Sequence, residues 1–264
     1  MFKEKNRGNQ ADFAEKGGEQ IDPNFVRATE NFERVIKPGI DAYLPKLMAF
    51  TEEILQTIER TDQNAVFIGR DGRWLFYIAK LIVGHRNRAL ADKVKFIDVG
   101  RGYIRENADA RGPTRQEIRG NEYNNYFKNL SININNSFLV DVGFQGTIIN
   151  DIRRATGTKN KNDVLLVKSD LKINPEIVNP EIKGFYEGKT SPEHDENMKM
   201  GYFVEGLPQT ILPVEELQAA RAGQVPKYSA VADDHAVFLA RMSYGYFKKS
   251  IDKAYKSDRA AQAE

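Results

Sequence analysis

The chain reads as an α/β protein, a doubly wound, mostly parallel sheet of about four to six strands with helices on both faces and helical additions at either end. Three observations lead there. Residues 65–68 (AVFI), 93–98 (KVKFID), 137–140 (SFLV) and 163–168 (DVLLVK) are short, nearly continuous apolar runs, as expected of strands covered on both faces. Helical stretches separate most of them. Three of the strands run into polar segments that contain glycine.

In chain order, residues 1–22 carry charges throughout and lack the apolar stretch of a secretory leader, so a mobile tail is expected. Residues 23–62 form a helical segment packed on the core, with Leu44, Leu47, Met48, Ile54, Leu55 and Ile58 recurring at three- and four-residue spacings. Pro38-Gly39 and Pro45 are expected to cut or bend it. The core spans 63–188. Its first strand ends in Gly69-Arg70-Asp71-Gly72-Arg73, read as a tight loop, before an almost wholly apolar helix over 74–83 in which Trp74 belongs to the core. A polar insertion at 105–136, broken by Gly112-Pro113 and Gly120, is either helical or a lid. After the third strand comes Asp141-Val142-Gly143-Phe144-Gln145-Gly146-Thr147, then a helix closed by Gly157. Residues 171–200 are polar and dotted with proline, with only IKGFYEG reading as a further strand. Residues 189–256 make a C-terminal helical segment whose last helix covers 230–255, and 257–264 should fray.

Composition narrows the function. The 264 residues are 41% hydrophobic and 29% charged, enough for a sizeable core without staples. Lys+Arg 39 against Asp+Glu 37 leaves a formal charge of +2, too little to predict binding to nucleic acid or a membrane surface. The absence of cysteine excludes disulfides, Cys-ligated zinc and thiol nucleophiles, and three histidines without ligand spacing argue against a His-rich metal site. No run approaches the roughly 18 apolar residues of a membrane span, since WLFYIAKLIV is interrupted by Lys80. A cytoplasmic protein is expected.

In open parallel sheets ligands bind beyond the carboxyl ends of the strands. At the first such end, glycine-flanked Arg70, Asp71 and Arg73 at a helix start are suited to a phosphate or pyrophosphate, being more charged than a turn requires; the alternative is a local Arg70–Asp71 ion pair in that turn. At the third, Asp141 ends a strand. It is placed to meet ribose hydroxyls or the water shell of magnesium, while Gly146 and Thr147 clasp a phosphate; alternatively Thr147 merely caps its helix. The second end, Asp98-Val99-Gly100-Arg101, offers Asp98 and Arg101, with Arg101 either an anion contact or a surface arginine after a strand. Lys248, Lys249, Lys253 and Lys256 read as a solvated helix face.

The pair strand–GRDGR–helix and strand–DVGFQGT–helix resembles the core of the type I phosphoribosyltransferases, over about residues 65–168. The resemblance implies a pyrophosphate loop of Arg70, Asp71, Gly72 and Arg73, and a phosphoribosyl pyrophosphate (PRPP) loop of Asp141, Gly143, Gln145, Gly146 and Thr147. It implies Asp71 and Asp141 as catalytic groups, magnesium at Asp141, and a phosphorylated sugar or nucleotide as ligand. The chain departs from the pattern in carrying one acid where the family has two, because Val140 precedes Asp141. It is similar as well to poorly characterised dehalogenase-like domains that accompany glycosyltransferases. That likeness implies a metal-dependent phosphohydrolase using Asp71 and Asp141, yet Gly69 stands where such an enzyme keeps its aspartate nucleophile. A binding or regulatory module that has lost its chemistry is the third reading.

Overall fold

The computed structural model describes residues 22–99, 121, 123–144, 146–169, 182–188, 192–208 and 234–261. The predicted tail, most of the 105–136 insertion, Arg101 and Gln145 lie outside them. Asp22 opens the first helix, its carboxylate accepting from the Asn24 amide at 2.9 Å, with Pro23 at the first helical position, where no N–H is needed. This α1 (Pro23–Asn31) continues through one π-helical turn, Phe32–Ile36, into α2 (Lys37–Thr61). The prolines therefore do not cut the helix. Pro38 falls at the start of α2, and Pro45 sits inside it on the exposed side, one turn past exposed Asp41, so the carbonyl it leaves without an amide faces solvent. Asp62, in the left-handed region at φ 57°, ends the run.

The strands follow the apolar runs closely: β1 (Asn64–Ile68), β2 (Val94–Ile97), β3 (Ser137–Phe144), β4 (Val164–Ser169) and β5 (Lys183–Gly188). All pairings are parallel, in the order β2-β1-β3-β4-β5. Helix α3 (Gly69–Arg86) joins β1 to β2, and α4 (Thr147–Thr156) joins β3 to β4. Helix α4 ends at Gly157 in the left-handed conformation, as expected. Alternation along β1 sends Ala65 and Phe67 into a large cluster with α2 and α3, and Val66 and Ile68 into a smaller one with Ile149 and Ile152 of α4 and Tyr123 and Phe127 of a helical segment at 123–129. The two crossover helices thus cover opposite faces, the doubly wound arrangement.

Helices α5 (Pro192–Gly206) and α6 (Asp234–Ala261) add to the larger cluster through Met200, Val204, Ala240, Phe247 and Ile251. The sequence reading did not place α5 within 189–256, and α6 runs past Tyr255 as far as Ala261. Trp74 is buried, tilted against Phe247 and donating from Nε1 to the Pro208 carbonyl at 2.9 Å. No described helix is long and apolar enough to cross a membrane.

At the amino ends of β3 and β4 a buried ion pair closes the fold. Arg153 donates from Nε and Nη2 to Asp163 at 2.8 and 2.7 Å, and to the carbonyls of Ser137 (2.7 Å) and Ile134 (3.2 Å) and the Thr158 hydroxyl (3.0 Å). Asp163 also accepts from the Leu139 amide at 2.8 Å. Such a pair repays its desolvation only when its remaining lone pairs and protons are also satisfied. Arg153→Met should lower stability by about 3–5 kcal/mol, because it leaves Asp163 charged and buried; urea denaturation at neutral pH measures it.

Candidate functional site at the strand-order reversal

From β1 the chain crosses to β2 on one side of the sheet, and from β3 to β4 in the opposite direction along it. The carboxyl ends of β1 and β3 are therefore adjacent while the helices that leave them lie on opposite faces, the place at which doubly wound sheets take ligands in a crevice.

One wall begins at Gly69. It adopts φ +68°, and a Cβ there would stand 2.6 Å from the Val99 carbonyl oxygen, so only glycine turns the chain from strand into helix at this point. As a result GRDGR is not a loop: Gly69 to Arg73 form the first turns of α3. Ile68, which precedes α3, has no side-chain oxygen to cap its N-terminal amides. Gly72 lies over the junction, where a Cβ would be 3.7 Å from both the Phe67 carbonyl carbon and the Val140 carbonyl oxygen. The side chains of Arg70 and Asp71 lie outside the described residues.

Arg73 points away from the crevice mouth. Its guanidinium is buried, paired through Nη2 with Asp98 Oδ2 at 3.2 Å and stacked over the Phe96 ring at 5.4 Å. The Asp98 amide donates to the Tyr126 hydroxyl at 3.1 Å. Burial pushes the Asp98 carboxyl above its ordinary value, with Arg73 pulling the other way, and burial likewise raises Tyr126.

The other wall is β3. Its pairing with β1 runs to Phe67 and Val140, which sets Asp141 level with Ile68, in a row with Ile97 and Leu165. Asp141 is 7% exposed and accepts from the Val142 amide at 2.8 Å. Beyond it the strand continues beside β4 through Phe144, so the predicted DVGFQGT loop is half strand, overhanging the end of β1 by about 10 Å. Gly143 makes that possible at φ +120°, a Cβ there colliding with the Val167 carbonyl oxygen. Gly146, at φ +65°, is the residue that precedes α4, while Thr147 is exposed in its first turn. The capping role considered for Thr147 thus falls to a glycine with no side chain. Neither helix start carries a side-chain cap, and Gly146 lies against Ile182 and Leu165.

The structure brings together the backbone of 69–72, Asp141 and Asp98 around the ends of β1 to β3; Gly143, Gly146 and Thr147 extend this along the overhang. Asp98, the carboxylate partner of Arg73, carried no role in the predicted site, since 25 residues separate the pair and nothing in either segment announces it. Among the described residues no group of three or more acidic or histidine side chains gathers to hold a metal. Asp141 is the acidic residue in a row otherwise made of Ile68, Ile97 and Leu165, and the side chain of Asp71, the other acid predicted here, lies outside the described residues. Two grooves lie elsewhere: one of about 650 Å³ along Lys248, Lys249, Lys253 and Lys256 of α6, and one of about 600 Å³ around Lys159, Lys161 and Lys183. Both are lined by exposed lysines, and neither reaches the strand ends described above.

Compared with protein-family models, curated proteins and solved structures, the chain matches none. The site must be judged on its own geometry.

The two glycines of the walls separate cleanly by test. Gly143→Ala should cost at least about 2 kcal/mol, from the positive φ and the collision with Val167, whereas Gly72→Ala should stay within about 1 kcal/mol, as an ordinary helical position. Thermal midpoints of the two variants check the contrast.

Proposed function

We propose that this α/β core binds a phosphorylated sugar or nucleotide of the PRPP type between the carboxyl ends of β1 and β3. The reversal of strand order supports the reading, because ligands of doubly wound sheets bind at such a reversal, and the helices that leave β1 and β3 start at glycines or without side-chain caps. The amides of the first turn of α3, with Arg70, take the pyrophosphate. Gly146 and Thr147, with Gln145 beside them, take the 5-phosphate at the start of α4. Asp141 orients the sugar between them, and Arg73 acts from behind by fixing Asp98.

In this reading the protein's contribution to glycosyl transfer or cleavage at C1 is positioning and charge stabilisation as the bond to the leaving pyrophosphate breaks. Magnesium arrives with the ligand, as its pyrophosphate complex. Phosphoaspartate chemistry at the end of β1 has no support: Gly69 stands in the nucleophile's place, and Val99 leaves no room for a side chain there.

The test is the thermal midpoint with magnesium alone and with magnesium plus PRPP. At about 100 times its dissociation constant a ligand contributes roughly 2.7 kcal/mol, a shift of several degrees, which should shrink in Asp141→Asn. No shift in the unaltered protein would contradict the proposal, and release of phosphate from generic phosphate esters would favour the phosphohydrolase instead.

A further inference from the structure

We propose that Lys80 is a modification site, its side-chain amine taking an acyl group from a small anionic donor of the acyl phosphate class. The site is separate from the carboxyl ends of β1 to β3, because Lys80 lies past the middle of α3, beside the edge strand β2.

Lys80 is the lysine that interrupts the apolar run of α3, and its side chain is half-buried. Its Nζ donates to the Ala91 carbonyl at 2.5 Å, in the short turn Arg88–Lys93 that leads into β2. The same nitrogen stands 5.4 Å from the centre of the Phe76 ring, which packs in turn on Phe96 of β2. Among the described residues no carboxylate pairs with this amine; its hydrogen-bond partner is a neutral carbonyl. Lys37 and Lys199 are the contrast, each held by a glutamate, Glu33 or Glu196, at 2.7 Å.

A lysine becomes a nucleophile near neutral pH when it is desolvated or set beside another cation, and both conditions hold here. Burial pushes the Lys80 amine below the ordinary lysine range, and Lys95 of β2 adds to the effect, while Asp92 pulls the other way. The Phe76 ring also favours the cation. Lys37 and Lys199 move in the opposite direction, raised by their hydrogen bonds to Glu33 and Glu196.

The neutral amine needs only one N–H for the Ala91 carbonyl, so its lone pair stays available to an electrophile. That lone pair attacks the acyl carbon of the donor. A C–N bond forms, the acyl C–O bond breaks, phosphate leaves with the bonding electrons, and the surplus proton of the nitrogen passes to water. The positive charge of Lys95 draws the anionic donor in. The resulting amide keeps one N–H for Ala91 and no longer sets a charge against Lys95, so the product suits these surroundings better than the ammonium does.

The experiment treats the full chain with acetyl phosphate over a pH series and follows each lysine by peptide mass spectrometry. At neutral pH Lys80 should be acetylated several-fold faster than Lys37 and Lys199, and the advantage should narrow as rising pH neutralises every amine. Lys95→Gln, a change at a partly exposed position of an edge strand, should slow Lys80 and leave Lys37 and Lys199 as they were. A Lys80 rate no higher than those of Lys37 and Lys199 at neutral pH would overturn the proposal. An unchanged Lys80 rate in Lys95→Gln would overturn the part given to Lys95, and the comparison within the unaltered protein decides the rest whether or not that variant folds.

Discussion

Parallel strands buried on both faces can be joined only by crossovers, and a sheet that grows in both directions from its middle has to reverse the sense of those crossovers once. Here the reversal falls between β1 and β3. It places α3 and α4 on opposite faces, divides the core into two clusters, and sets the first turn of α3 over the junction of the two central strands. Gly69 and Gly143 serve this constraint. The first turns β1 into α3 without delay, and the second lets β3 run on past the point where β1 has turned away.

Two buried arginine–aspartate pairs mark the two ends of the sheet, and they differ in completeness. At the amino ends, Arg153 and Asp163 bind each other and every backbone group in reach, as a structural clamp does. At the carboxyl ends, Arg73 pairs with Oδ2 of the partly exposed Asp98. The lysine-rich surfaces of α6 and of the turn before β4 lie away from the carboxyl ends of β1 to β3.

Much of this architecture is legible in the residue order. The four apolar runs predicted as strands are strands, with boundaries displaced by a residue at most except in β3, and IKGFYEG forms the fifth. The exceptions have physical causes. Asp141 and Gly143 disguise the second half of β3 as a loop, because neither favours a strand; pairing to β4 overrides them. GRDGR looks like a turn for its glycines, yet one left-handed residue suffices and the rest is helix. Helix α5 hides in a charged stretch, and Pro45 misleads because the carbonyl it leaves unpaired points to water. The glycine-bearing ends of β1 and β3 were visible as candidate site segments. The pairing that turns Arg73 from a ligand contact into the support of Asp98 depends on a crossover of 25 residues, and only the fold reveals it.

The most direct measurement is the perturbation of backbone amide resonances on titrating PRPP, with magnesium, into the ¹⁵N-labelled protein. The account predicts that amides of 69–72 at the start of α3 and of 146–149 at the start of α4 move together, with one shared dissociation constant. Movement confined to the lysine surfaces at 159–161 or 248–256, with both helix starts unmoved, would contradict it.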